Sequence, residues 1–141
     1  MSQLKISDTS GRVEELPEAE CGDLLAARSV GRIAFNGPDG PMILPVNYTH
    51  DAGDIVFRTA PYNILATTLR HAVVAFEVDD IDDYLHCGWS VVVQGHASYV
   101  DDVQHLVSGL DARPEPWVDG TRPLYIRITP RLITGRRVHP G

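Results

Sequence analysis

A mostly β fold of the α+β class is predicted, with about six antiparallel strands closing or nearly closing a barrel and two to three short helices beside it. Three observations predict it. Short strand-like runs follow one another with little chain between them. The breaks Gly37-Pro38-Asp39-Gly40 and His50-Asp51-Ala52-Gly53 are rich in residues that tolerate turn dihedrals. The long run Trp89–Val100 alternates a dry face (Trp89, Val91, Val93, Gly95, Ala97, Tyr99) with a more polar one (Ser90, Val92, Gln94, His96, Ser98). Barrel closure removes the strand edges that would otherwise pair with other chains.

Residues 1–15 mix Ser, Asp, Glu and Gly without a period and read as an N-terminal arm. A helix over 17–29 follows, with Pro17 at its first position, Glu18 and Glu20 at the positive end of its dipole, and Gly31 as its stop. The meander is then Arg32–Asn36, Met42–Thr49 and Asp54–Thr59. Pro45 has no N–H to give a central ladder, so the second strand has an edge or a bulge there and offers backbone to a ligand. Asn63–Arg70 is spaced as a short helix and Ala72–Val78 as a strand, with an acidic loop at Asp79–Asp83 before Trp89. Asp101 and Asp102 cap a helix over Val103–Leu110, and Asp111–Arg122 is a proline-rich connection. Leu124–Thr129 is the last strand and Pro130–Gly141 a tail carrying Arg131, Arg136 and Arg137.

The 141 residues suit one domain, and 43% hydrophobic with 22% charged residues is globular composition. A formal charge of -7 opposes nucleic acid and anionic membrane surfaces as partners. No apolar run is long enough to span a bilayer and the first residues lack a signal-peptide core, so a cytoplasmic protein is expected. Cys21 and Cys87 form no CxxC pair and are expected to be free thiols.

Several chemistries lack their residues. The six histidines are scattered, and His86-Cys87 has no second ligand pair, so no metal is expected. There is no GxGxxG, GxxxxGK[ST] or GxSxG. Asp79, Asp80, Asp82 and Asp83 lack the glycine and terminal glutamate of a calcium loop and read as a solvated acidic turn. The informative stretch is Phe57–Asn63, where Arg58, Thr59 and the first N–H groups of the next helix converge as a phosphate cradle would. An ordinary surface arginine beside a threonine cap is the competing reading. Tyr48 and His96 are candidate acids by type alone and are read as structural; the catalytic residues are unknown.

Leu24–Phe35, Leu44–Tyr48, Val56–Pro61, Val74–Asp79 and Gly88–Gly95, in that order and spacing, resemble the pyridoxamine-5'-phosphate-oxidase-like, FMN-binding split-barrel family, in its short actinobacterial form. The resemblance runs from about residue 16 to 137, leaving 138–141 as a terminal tail. It implies a six-stranded antiparallel split β-barrel and a homodimer with flavin sites at the interface, each using both chains. It also implies that Pro45, Val46 and Asn47 present backbone to the flavin ring. Arg58, Thr59 and Asn63 would meet the ribityl-phosphate, Trp89 and Ser90 would approach the ring, and Arg127 or the tail arginines would reach the neighbouring subunit's site.

Ile64 stands where many relatives carry a lysine for the cofactor phosphate. A charge-assisted hydrogen bond is worth about 1.5–3 kcal/mol, so FMN binding is expected to weaken by roughly one to two decades. The resulting expectation is an FMN-binding oxidoreductase acting on a small organic molecule. The alternatives are a reductase of the same fold using deazaflavin F420, and a non-catalytic binding or regulatory barrel.

Overall fold

The computed structural model describes residues 11–59, 68, 69, 71–100 and 124–141. In chain order these form β1 (Arg12–Glu15), α1 (Glu18–Ala26), β2 (Val30–Gly37), β3 (Gly40–Asp51), β4 (Asp54–Thr59), β5 (Ala72–Asp82), β6 (Cys87–Tyr99) and β7 (Leu124–His139). The strands are hydrogen-bonded in the order β1-β7-β4-β3-β2-β5-β6, and β6 also pairs with β7. That last pairing closes a ring of six strands, with β1 added outside it on β7. The barrel expected from the sequence is therefore present, with a seventh strand beyond the ring.

Alternation fills the interior. Ile33, Phe57, Phe76, Val91, Val93, Ala97, Ile126 and Ile128 are fully buried, and Tyr48 meets Phe76 edge to face at 4.8 Å. Trp89 and Tyr99 pack partly buried against this core, so the dry face of β6 is the one that turns inward. Helix α1 lays Cys21 and Leu25 on the core. The Tyr48 hydroxyl donates to the Leu25 carbonyl at 2.6 Å, satisfying one of the helix's last acceptors.

Several boundaries differ from the sequence reading, each for a tertiary reason. The helix begins at Glu18, with Pro17 as its extended cap, and ends at Ala26. Gly31 does not stop it, because Gly31 lies inside β2, where a Cβ would fall on the Phe76 ring. Arg12–Glu15, read as arm, pairs with β7 in a register that sets Glu14 opposite Arg137 and Glu15 opposite Arg136. The acidic stretch is strand as far as Asp82, because Asp79, Asp80 and Asp82 pair with Ser90, Trp89 and Cys87. The supposed tail after Pro130 is strand to His139. Pro130 faces Gly95 and Leu132 faces Gln94, so Arg131 is the extra residue of a bulge that accommodates the proline. The expected helices over 63–70, apart from Thr68 and Leu69, and over 103–110 lie outside the described residues, as does the connection at 111–122.

The β3–β4 turn is a two-residue hairpin with Ala52 and Gly53 both at positive φ. Arg127 of β7 holds its two flanks, donating to Asp54 at 2.7 Å and to the fully buried Asp51 at 3.1 Å. Removing one member of a buried ion pair strands its partner's charge. Arg127→Met is expected to lower the unfolding free energy by about 3 kcal/mol, read from urea denaturation, whereas loss of an exposed pair costs under about 1 kcal/mol.

Candidate functional site

Strand β3 changes partner along its length, with one neighbour in its first part and another in its last. It pairs with β2 from Gly40 to Asn47, with no register shift at Pro45, and with β4 only from Tyr48 to Asp51. The strand is thus an edge at Pro45, not a bulge, and the missing N–H costs no ladder bond to β4. Beyond the Tyr48–Phe57 pair the two strands part. Pro45, Val46 and Asn47 lie on one side of the parting, and Arg58 and Thr59 on the other. Val46 points into the core, while Pro45 is exposed and Asn47 half-buried on the outer face.

On the β4 side, Thr59 pairs with Leu124, and Arg58 pairs with Tyr125 and lies over its ring at 6.0 Å. Arg58 is half-buried and has no carboxylate partner among the described residues. Asn63, the third member of the expected phosphate cradle, lies outside them.

Trp89 and Ser90 sit elsewhere on the ring. Trp89 pairs with Asp80 and Arg137, Ser90 with Asp79 and Arg136, and Arg28 lies over the Trp89 ring at 5.9 Å while bridging to Asp80 at 3.6 Å. Continuing the β2–β5 register by a step strings Ser90, Asp79, Val30 and Asn47 along one row of the outer face, which ends at the parting from β4. Arg58 on β4 and Ser90 on β6 both flank β7, where their partners Tyr125 and Arg136 lie far apart along the strand.

A cavity of about 430 Å³ opens between the end of α1 and Pro45, lined by Ala27, Arg28, Ser29, Val30, Arg32, Pro45 and Asp79. The charged residues here went unrecognised in the sequence. Arg32 faces both Pro45 and Glu77 in register, and donates to Glu77 at 2.9 Å and Asp79 at 3.3 Å. Burial, and next the adjacent Asp79, push the Glu77 carboxyl above the usual range, with Arg32 pulling the other way. Extending the two-residue alternation of Ala72–Val78 by one step would have put Glu77 and Asp79 on a shared outer face.

Two other candidates resolve differently. Tyr48 is a core residue bound to the helix, as read. His96 lies on the outer face, stacked with His71 at 6.2 Å. Arg127 is committed to Asp51 and Asp54 of its own chain and is not available to a neighbour. Arg137 is engaged by Glu20 at 3.1 Å, while Arg131 and Arg136 are exposed with no salt bridge among the described residues. No three potential metal ligands cluster among the described residues.

A family model described as pyridoxamine 5'-phosphate oxidase matches residues 17–137. The chain belongs to this family. Within the pyridoxamine 5'-phosphate oxidase family, a solved structure described as the FAD binding protein from Mycobacterium smegmatis is similar at 34% identity and a TM-score of 0.78, covering 91% of this chain and 100% of that one. A conserved protein of unknown function from Corynebacterium diphtheriae is 30% identical with a TM-score of 0.72, covering 88% of this chain and 96% of that one. An uncharacterized protein of Mycobacterium tuberculosis is 34% identical over 131 residues, 89% of this chain and 86% of its own. These likenesses bear out the family read from the sequence.

Burial raises the Tyr48 hydroxyl well above its ordinary value, with Arg28 opposing weakly. A group whose acidity is weakened on folding contributes stability that is full below its unfolded value, near 10, and is lost as pH climbs toward the folded one. Stability is expected to fall between pH 10 and 12, and Tyr48→Phe to flatten that fall while costing about 1 kcal/mol at pH 7 for the lost hydrogen bond. Denaturant midpoints measured across this range check both.

Proposed function

We propose that this chain is a flavin-binding, oxidoreductase-like protein that holds FMN at the interface of a homodimer and acts on a small organic molecule. The observation that carries the reading is the parting of β3 and β4, with freed backbone on one side and on the other a half-buried guanidinium that has no carboxylate partner among the described residues. Backbone suits the polar edge of a flavin ring, and an uncommitted arginine suits a phosphate. The residues present therefore fit the cofactor: Pro45, Val46 and Asn47 along the ring, Arg58 and Thr59 at the phosphate with Asn63 following in sequence. A bound flavin supplies hydride or electron transfer at its ring. The chain's own residues bind and orient it, and none is assigned as a catalytic acid or base.

One feature supports a second copy. The outer face carries a largely apolar band, with Ile43, Ala34, Ala75 and Leu132 in one cross-strand row interrupted by Gln94, and Val73 beside it. Ile43, Val73 and Leu132 are 68%, 59% and 52% exposed, more than a lone barrel gains by leaving them in water.

The similar protein from Mycobacterium smegmatis, described as binding FAD, supports a flavin in general and makes FAD the nearest competitor to FMN. Ile64 in place of a lysine favours a loosely held cofactor, which keeps deazaflavin F420 as the second reading. Titration with FMN, FAD and deazaflavin F420, followed by absorbance, separates the three. FMN is expected to bind, and Arg58→Gln to raise its Kd about ten- to a hundredfold with little change in thermal midpoint. Protein that stays colourless with every flavin, or an Arg58→Gln variant that binds as wild type does, would overturn the reading.

A further inference from the structure

Away from the flavin site, large apolar side chains stand in water at two separate places on the barrel. At the tip joining β5 to β6, Ile81, Tyr84 and Leu85 are 54%, 90% and 55% exposed. The tip is held by its own hydrogen bonds: Asp82 Oδ1 accepts the N–H groups of Tyr84 and Leu85 at 2.9 and 2.8 Å. The two apolar side chains are therefore presented on an ordered turn, which lowers the cost of docking them. The second place is the apolar band of the outer face, where Ile43, Val73 and Leu132 are each more than half exposed. Gly88 faces Val138 and Gln94 faces Leu132, so Leu132 lies six residues along the sheet from the base of the tip. At about 3.4 Å per residue that is roughly 20 Å, beyond the reach of a side chain. Within one chain, neither apolar group covers the other.

The two places carry opposite charge. From Asp79 to Gly88 the chain has four aspartates and no lysine or arginine, and Asp83 at the tip is exposed with no salt bridge among the described residues. Beside Leu132, the bulge residue Arg131 is exposed and also has no salt bridge among the described residues. Each place thus joins an unspent charge to uncovered apolar surface, at a separation that only a second molecule bridges. Arg12 is exposed too, but it lies at the tip's own end of the sheet, where Val13 faces Val138 and Val138 faces Gly88. We propose that the β5–β6 tip docks on a second copy of this chain, with Tyr84 and Leu85 on the Leu132 edge of the partner's apolar band and Asp83 on the partner's Arg131. A two-fold repeats the contact in the other direction, so both tips and both bands are covered. The charge pair sets the register of the two barrels, and the apolar side chains supply the buried area. The proposal rests on the homodimer reading and adds to it which surfaces meet.

Sedimentation equilibrium over a range of protein concentrations reads the dimer dissociation constant, with circular dichroism showing that each variant is folded. Asp83→Arg and Arg131→Asp each set like charges against one another, twice per dimer by symmetry. Each is expected to raise the constant at least about a hundredfold, from about tenfold per contact. The combined Asp83→Arg and Arg131→Asp variant restores opposite charges and should return to within about tenfold of wild type. Tyr84→Ala, which keeps the N–H that Asp82 holds, should raise the constant at least about tenfold, and Arg12→Asp should leave it unchanged. Recovery in the combined variant is not what a general loss of folding produces. A wild-type dimer indifferent to the single exchanges or to Tyr84→Ala overturns the docking contact and leaves the homodimer reading standing. So does a combined variant as weak as the single ones, or a dimer broken by Arg12→Asp and not by Arg131→Asp. Wild-type protein that stays monomeric at every concentration overturns the homodimer reading and the contact together.

Discussion

Tyr48 is the last residue of β3 to pair with β4, facing Phe57, and its surroundings fix where the two strands part. Its N–H donates to the Ser29 carbonyl at 2.9 Å, its hydroxyl to the Leu25 carbonyl at 2.6 Å, and its ring stands edge-on to Phe76. Those contacts tie β3, the end of α1 and the barrel interior together at one point. The need for Phe76 to reach that point leaves no room for a side chain at residue 31, which is why glycine is found there. From Tyr48 toward Gly40, β3 is free to be an edge, and Pro45 can occupy it without breaking a bond to β4.

The site follows from that edge. Backbone that the sheet leaves unpaired becomes available on one side of the parting, while β4 delivers Arg58 to the other, resting on Tyr125. At the opposite side of Pro45, β2 and β5 gather Arg32, Glu77 and Asp79 into one set of ion pairs. The two arginines nearest the parting differ in their partners: Arg32 is paired with two carboxylates, and Arg58 with none among the described residues. The same logic removes Arg127 from the list of groups that might serve a second chain, since Asp51 and Asp54 already claim it.

Much of the fold was legible in the chain, because two-residue alternation and turn residues are local signals. The inward face of β6, the hairpin at Ala52-Gly53 and the edge at Pro45 all come from them. What local reading missed depended on partners distant in sequence. Arg12–Glu15 has no strand pattern of its own and is recruited by β7, while the run past Pro130 looks like a tail until the bulge opposite Gly95 absorbs the proline. The site divides in the same way. Arg58 stood out by its place at the end of a strand and Pro45 by its missing N–H, Asn47 came only with the family resemblance, and the cluster of Arg32, Glu77 and Asp79 gave no signal. An acidic run read as a solvated turn gave no hint that its first member faces an arginine 47 residues earlier.

The central claim is that the stretch of β3 paired on one side only lies against a flavin. Hydrogen–deuterium exchange with and without added FMN tests it most directly, by following the backbone amides of Leu44, Val46 and Asn47. The account predicts that the cofactor slows exchange at one or more of these amides while leaving the fully paired middle of β6 unchanged. Cofactor binding accompanied by protection elsewhere, with all three of these amides exchanging as before, would contradict it.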